Sequence, residues 1–187
     1  MAPESAVRRA VFLDRDGTLG PDAGTRSITR FELYPWTARA LARLHAARFL
    51  LVVATNQPVV ARGMLTEAQL AAVHARLQAD LAADGAPLAA VYHCPHHPAQ
   101  AVVPALGGAC ACRKPKPGML VHAARELEID LASSYLIGDG DWDIGAGRAA
   151  GCTTVYLGDQ LDTGATFQCP TLREAVDWIL AHEARDA

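Results

Sequence analysis

The chain has 187 residues, of which 51% are apolar and 20% are charged, and this composition excludes a disordered or fibrous protein. Its formal net charge of −3 does not favour nucleic acid or an anionic membrane as a partner. No stretch approaches the roughly 20 apolar residues of a membrane span, and the N-terminal sequence lacks the pattern of a signal peptide. We therefore expect a cytoplasmic monomer.

Strand and helix patterns alternate along the chain. In chain order, we predict a strand at 10–13, a helix at 37–49, a strand at 50–54, a helix at 66–85, a strand at 88–93, a helix at 119–127, a strand at 135–137, a helix at 143–150, a strand at 153–157 and a helix at 171–181. The run at 50–54 is unbroken and apolar, which is typical of a central parallel strand. The fold class is therefore α/β, with a doubly wound, mainly parallel sheet.

No repeat, low-complexity segment or linker divides the sequence, so we expect residues 1–187 to form one domain. The interval 17–30 can hold a loop or a small hairpin but no second folded unit. Four histidines lie on predicted helices and are expected to be solvated: His45, His74, His122 and His182.

Polar side chains follow three of the predicted strands, at the edge where parallel sheets bind ligands. They are Asp14, Asp16 and Thr18 after the first strand, Thr55 and Asn56 after the second, and Asp139, Asp141 and Asp143 after the fourth. Each aspartate alone would more simply cap a helix or shape a turn. Together, crowded carboxylates require a cation, and oxygen ligands suit Mg²⁺. Because Arg113 and Lys114 lie in the loop before the fourth strand, this set indicates a phosphoryl-transfer site.

A second cluster lies between residues 94 and 112, where three of the five cysteines and several histidines are close in sequence. Three thiolates and one imidazole are typical of a structural Zn²⁺ site, and a metal-free reduced loop is the alternative. His93 and His97 are further donors, and His97 is the rival to His96. The candidate ligands are Cys94, His96, Cys110 and Cys112.

Four segments resemble, in order, the motifs of the haloacid-dehalogenase-like phosphatases. They are Asp14-Arg15-Asp16-Gly17-Thr18, Thr55-Asn56-Gln57, Arg113-Lys114-Pro115, and Gly138-Asp139 with Asp143. The resemblance implies an aspartyl-phosphate mechanism in which Asp14 is the nucleophile and Asp16 the general acid and base. It also implies that Thr55 and Asn56 bind the phosphoryl oxygens and that Lys114 neutralises their charge. Mg²⁺ would be held by Asp14, Asp139 and the backbone carbonyl of Asp16.

The segments Cys94-Pro95-His96-His97-Pro98 and Cys110-Ala111-Cys112 resemble the zinc-bearing branch of these phosphatases. This branch contains the heptose-bisphosphate and histidinol-phosphate phosphatases. The resemblance implies that His96 rather than His97 completes the Zn²⁺ site, within an inserted loop at about 94–112. Zinc there would position Arg113 and Lys114 without taking part in the chemistry. We expect no cap domain, because predicted helix and strand occupy much of the interval between Asp14 and Thr55.

Within this branch, the sequence around Arg62-Gly63 and Pro117-Gly118-Met119 is more similar to the heptose-bisphosphate enzymes. We therefore expect a small phosphorylated substrate, D-glycero-D-manno-heptose 1,7-bisphosphate, hydrolysed at C7. The alternative substrates are histidinol phosphate or another sugar phosphate, and a zinc-stabilised binding module is the alternative of a different class. Arg62 and Arg113 are the candidate ligands for a second phosphate.

Two positions depart from the family pattern, and both border the expected substrate site. Gly140 stands where a basic residue is frequent, and Gly20 stands where Asn is frequent. The segment 21–29 also lacks the pattern of the heptose enzymes.

Overall fold

The computed structural model describes residues 7–21, 29–160 and 162–186. The strands are β1 (Ala10–Leu13), β2 (Leu50–Asn56), β3 (Leu88–Cys94), β4 (Tyr135–Gly138), β5 (Thr153–Leu157) and β6 (Phe167–Cys169). The helices are α1 (Thr37–Ala46), α2 (Glu67–Ala83), α3 (Gly118–Leu127), α4 (Asp141–Ala150) and α5 (Leu172–Asp186).

The six strands form one sheet in the order β3-β2-β1-β4-β5-β6, and all the strand pairs are parallel. β1 lies at the centre, where Leu13 is paired with Val53 of β2 and with Ile137 of β4. The chain winds outward from β1 in both directions, so the predicted doubly wound α/β fold is confirmed. In such a sheet, the ligand crevice lies at the carboxyl ends of the strands where the winding reverses, here beside β1 and β4.

Alternating side chains of β1 build a core on each face of the sheet. Val11 and Leu13 pack with residues of α1, α2 and α5, among them the buried Leu41. Phe12 faces the other way and packs with residues of α3, among them Leu120. Burial on both faces explains why β1 is entirely apolar. The first polar residue after it, Asp14, lies where the strand ends at the edge of the sheet.

The main differences from the sequence predictions are the ends of two elements and one additional strand. β2 continues through Thr55 and Asn56, because its ladder with β3 extends until Asn56 lies opposite Cys94. α1 ends at Ala46 rather than at 49, since Arg48 has a φ of 67° and Phe49 turns into the core. β6 is an additional strand of three residues with Gln168 at its centre, too short and too polar to give a strand pattern.

Between β1 and α1, residues 14–21 and 29–36 form turns and loop structure and no separate cap. The expectation for the segment 21–29 falls largely on residues 22–28, which lie outside the described residues. Among the described helices, none combines the length and the apolar character that a membrane crossing requires.

Candidate active site and zinc-binding loop

Three carboxylates meet at the carboxyl edge of the sheet. Asp14 directly follows β1, Asp139 directly follows β4, and Asp143 belongs to the first turn of α4. One oxygen of each lies within 4.8 Å of the others. The carboxylates predicted from the strand ends therefore lie together, and the cluster includes Asp143, which had no separate role in the sequence predictions.

The Lys114 ammonium lies among these carboxylates and its side chain is completely buried. Its Nζ donates to the carbonyl oxygen of Ala54 over 2.7 Å, lies 3.0 Å from Oδ1 of Asp14 and contacts Oδ1 of Asp143. Burial alone would lower the pKa of Lys114, but the charges of Asp14 and Asp143 raise it above its ordinary value. Lys114 is therefore a permanent positive charge beside Asp14.

The charges of this cluster fit a divalent cation. Three ionised carboxylates and one ammonium leave a formal charge of −2. Burial and then repulsion by Asp14 raise the pKa of Asp139 to about 6 and that of Asp143 to about 7. Asp143 is committed to Lys114 and to the backbone N–H of Gly140, which leaves Asp14 and Asp139 as the carboxylate ligands for a metal. Hard oxygen donors of this kind suit Mg²⁺.

The side chain of Asn56 holds the backbone of Lys114. Its amide nitrogen donates to the Lys114 carbonyl oxygen over 3.2 Å, and its oxygen accepts from the Lys114 N–H over 3.1 Å. The sequence assigned this amide to the phosphoryl oxygens, whereas the structure uses both of its ends to fix the lysine. Thr55 lies one residue earlier, and its hydroxyl accepts from Gln57 Nε2 over 3.0 Å.

Asp16 lies outside the three-carboxylate cluster and contacts two residues that the sequence analysis did not single out. Its carboxylate accepts hydrogen bonds from Arg15 and from Gln57, both of which are buried. His74 contacts Arg15 and is only 5% exposed, so the expectation that it is solvated is wrong. The signal was available, because His74 lies four residues after Leu70 on the apolar face of α2.

Close packing explains the glycines at this edge. Gly17 has a φ of 83°, and a side chain there would collide with the Asp139 carboxylate. A Cβ on Gly140 would collide with the indole of Trp142, and one on Gly20 would collide with the carbonyl of Glu32. Close contacts with Trp142 and Glu32 therefore explain why glycine stands at the two positions that depart from the family pattern.

The four predicted zinc ligands also converge. Their donor atoms lie within 4.8 Å of one another, with the Sγ atoms of Cys94 and Cys112 3.1 Å apart. Nδ1 of His96 lies 3.4 Å from Sγ of Cys112 and 3.6 Å from Sγ of Cys94. Burial raises the pKa of the Cys94 thiol, so a bound cation is needed to hold it as a thiolate. A set of three sulfur atoms and one nitrogen suits Zn²⁺.

The two rival histidines have other partners. Nδ1 of His97 accepts from the backbone N–H groups of Ala99 and Gln100, and Nε2 of His93 lies 2.9 Å from a carboxylate oxygen of Glu67. The structure thus places His96, and neither His93 nor His97, in the cluster with the three cysteines.

The two candidate arginines lie in loops beside the site, Arg62 in the turns after β2 and Arg113 next to Lys114. We call this region the rim. Arg113 donates to the carbonyl oxygen of His96 over 3.1 Å, while Arg62 is exposed. Desolvation and then the positive charges of Arg113 and Arg62 lower the pKa of His97. The zinc ligand His96 therefore supports Arg113 through its own backbone.

Replacement of Cys110 by Ser should lower the zinc content from about one ion per chain, because the site loses one of its thiolates. Hydrolysis of p-nitrophenyl phosphate should fall in parallel, since Cys112 directly precedes Arg113 and Lys114 in the chain. Elemental analysis and steady-state rates measure the two effects. The matched control is C169S, at a cysteine outside the cluster. Full activity in zinc-free protein would contradict the coupling.

Protons should compete with Mg²⁺ for Asp139. Because the pKa of this carboxyl is raised to about 6, calorimetric Mg²⁺ binding should be about tenfold weaker at pH 5 than at pH 7. D139N should lose most of the affinity, whereas D141N, which alters an exposed carboxylate at the start of α4, should retain both the affinity and its pH dependence. Equal affinities at the two pH values would argue against Asp139 as a ligand.

Comparison with known proteins agrees with this geometry. The HAD-hydrolase-like family model matches residues 111–172. The D-glycero-β-D-manno-heptose-1,7-bisphosphate 7-phosphatase of Escherichia coli strain K12 is 41% identical over 172 residues, which cover 91% of this chain and 87% of that protein. The Yersinia pestis protein of the same name is also 41% identical, with 91% and 89% covered.

A solved structure also relates this chain to the heptose-bisphosphate phosphatases. The D,D-heptose 1,7-bisphosphate phosphatase from B. bronchiseptica, complexed with magnesium and phosphate, superposes with a TM-score of 0.78 at 31% identity. The match covers 93% of this chain and 99% of that one. The chain belongs to the family of the D-glycero-β-D-manno-heptose-1,7-bisphosphate 7-phosphatases, within the HAD-like phosphatases.

Proposed function

We propose that this chain is a phosphatase that removes the C7 phosphate of D-glycero-β-D-manno-heptose 1,7-bisphosphate through an aspartyl phosphate on Asp14. The observation that carries the proposal is the Asp14 carboxylate held beside the completely buried Lys114 ammonium at the carboxyl edge of the sheet. A carboxylate attacks an anionic phosphate only where fixed positive charge offsets their repulsion. The names of relatives 41% identical to the chain support the choice of sugar.

The reaction proceeds in two displacements at phosphorus. A carboxylate oxygen of Asp14 forms a bond to phosphorus while the bond to the sugar oxygen breaks, and Asp16 gives its proton to that oxygen. Asp16 then takes a proton from water, which attacks phosphorus and releases inorganic phosphate and the free Asp14 carboxylate. Bound Mg²⁺, with Asp14, Asp139 and the backbone carbonyl of Asp16 as ligands, would supply positive charge to the phosphoryl oxygens.

Two side chains orient the phosphoryl group. The Thr55 hydroxyl accepts from Gln57 and so keeps its own proton to donate to a phosphoryl oxygen. Lys114 supplies a positive charge to the phosphoryl group. Its position is set by hydrogen bonds to Asn56 and to the Ala54 carbonyl. Asn56 therefore acts on the phosphoryl group through the lysine.

The second phosphate of the substrate lies away from the metal and needs its own cation. Arg62 and Arg113 carry positive charges at the rim, and both charges lower the pKa of His97. The guanidinium fork matches the geometry of a phosphate group. We assign these two arginines to the remote phosphate of the bisphosphate.

A zinc site built from three cysteines suits a reducing compartment, and we propose a cytoplasmic location. The shared sheet beneath both core clusters supports a single domain over residues 1–187. We also propose that the protein acts as a monomer.

A comparison of kcat/KM values tests the substrate. The heptose bisphosphate, histidinol phosphate and a set of sugar monophosphates should be measured side by side with Mg²⁺ present. The heptose bisphosphate should give the highest value. A higher value for histidinol phosphate would assign the chain to the other activity of the zinc-bearing branch.

Replacement of Asp14 by Asn should reduce turnover by on the order of 10³-fold or more, because an amide is a poor nucleophile and a poor metal ligand. The variant should keep its zinc and its fold, since Lys114 retains Asp143 as a partner. D141N is the control, because its carboxylate is exposed and bonded to Gln160 instead. Activity within about tenfold of the wild type would exclude Asp14 as the nucleophile.

Replacement of Arg62 by Ala should weaken kcat/KM for the bisphosphate by roughly 1.5–3 kcal/mol, the range for hydrogen bonds to charged groups. A sugar monophosphate should be affected much less. R113A should behave similarly, with an added loss from its contact with His96. R39A, on the exposed face of α1, is the control. Parallel losses on both substrates would mean that the arginines do not bind the remote phosphate.

A further inference from the structure

The carboxylate of Asp16 accepts hydrogen bonds from two neighbouring side chains, those of Arg15 and Gln57. Nη2 of Arg15 donates to both of its oxygens, over 3.0 Å to Oδ1 and 2.9 Å to Oδ2. Nε2 of Gln57 donates to Oδ2 over 2.6 Å. These contacts fix the rotamer of Asp16, whose side chain still has 21% of its surface exposed.

Arg15 is itself held rigidly. Its side chain is 3% exposed, and its guanidinium carbon lies 4.9 Å from the centre of the Phe31 ring. Nη1 lies 3.2 Å from Nε2 of His74. Since arginine only donates hydrogen bonds, this histidine nitrogen is the acceptor, and the ring is neutral. Burial, then the charges of Arg15 and His93, lower the pKa of His74 to about 3, in agreement with that geometry.

Gln57 connects Arg15 and Asp16 to Thr55, the residue whose hydroxyl faces the phosphoryl group in the proposed mechanism. Its Oε1 accepts from Nη2 of Arg15 over 2.9 Å, and its Nε2 donates to the Thr55 hydroxyl as well as to Asp16. One buried amide therefore links the guanidinium, the candidate acid and base, and the hydroxyl that faces the phosphoryl group. Two of its partners, Arg15 and Asp16, lie in the loop after β1, and the third, Thr55, lies near the end of the neighbouring strand β2.

We propose that Arg15 and Gln57 are positioning residues that hold the Asp16 carboxylate where it can exchange a proton with the leaving-group oxygen. The inference rests on the proposed phosphatase function and adds two residues to its mechanism. Proton transfer needs the two heavy atoms within about 2.6–3.2 Å, and a displacement of about 1 Å can cost on the order of 10²-fold in rate. A carboxylate fixed at both oxygens avoids that loss.

Leaving-group dependence distinguishes this role from general support of the fold. Two substrates of similar shape serve as probes: p-nitrophenyl phosphate, which has a good leaving group, and phenyl phosphate, which has a poor one. The phosphorylation step should be measured in single-turnover experiments with enzyme in excess. D16N should lose more rate with phenyl phosphate than with p-nitrophenyl phosphate, because a good leaving group needs little protonation.

R15M should show the same signature, with losses of about 10- to 100-fold on phenyl phosphate and under about threefold on p-nitrophenyl phosphate. Q57L should also lose more rate on phenyl phosphate than on p-nitrophenyl phosphate, with a further loss common to both because Thr55 loses a hydrogen bond. R15K keeps the charge and should recover part of the rate. Q57L leaves Arg15 in place, so it tests the inference even if R15M does not fold. The matched control is R9M, because Arg9 also contacts an aromatic ring and a carboxylate, Phe49 and Glu183, at the opposite end of the sheet.

A double variant completes the test. If Arg15 acts through Asp16, R15M combined with D16N should be no slower than D16N alone, within about twofold. Equal losses on the two aryl phosphates, or additive losses in the double variant, would overturn the positioning role while leaving the phosphatase assignment intact. Failure of the wild-type protein to release phosphate from any ester would overturn the proposed function and this inference with it.

Discussion

The buried ammonium of Lys114 is the interaction on which the site depends. It reaches the Asp14 carboxylate at the end of β1, the Asp143 carboxylate in α4 and the Ala54 carbonyl in β2. A buried charge is tolerated only where partners compensate its lost hydration, so these groups must assemble together. The same assembly leaves a surplus of two negative charges for a divalent cation. One lysine therefore couples the packing of three elements to the metal and phosphate chemistry.

Lys114 follows shortly after the zinc-binding loop, so the structure of that loop determines where the lysine backbone lies. Cys112 lies two residues before Lys114, and Asn56 fixes the lysine backbone from the neighbouring strand. Zinc held by these side chains would supply the order that a loop rich in Pro, Gly and Cys cannot obtain by itself. The backbone of His96 also accepts a hydrogen bond from Arg113. On the proposed function, a structural metal would therefore set both the charge beside Asp14 and a charge at the rim.

Much of this could be predicted from the sequence, because strand ends and metal ligands have local patterns. The apolar run at 10–13 ends at Asp14, and the cluster of cysteines and histidines gives the candidate zinc ligands, among which the family resemblance favours His96 over His97. The contacts of Arg15 and Asn56 could not be predicted in this way. They join residues 42 and 58 positions apart, and only the parallel pairing of the sheet brings those loops together. The burial of His74 was not predicted for another reason. Histidine is a polar residue type and suggested a solvated position, although His74 lies on the apolar face of α2.

The most direct test of the account is a ³¹P NMR time course of D-glycero-β-D-manno-heptose 1,7-bisphosphate incubated with the zinc-loaded protein and Mg²⁺. The account predicts that the C7 phosphate signal disappears as inorganic phosphate grows, while the C1 phosphate signal keeps its intensity. The C1 phosphate is the group we assign to the arginines at the rim, out of reach of Asp14. Loss of the C1 signal first, equal loss of both signals, or no release of phosphate would contradict the account.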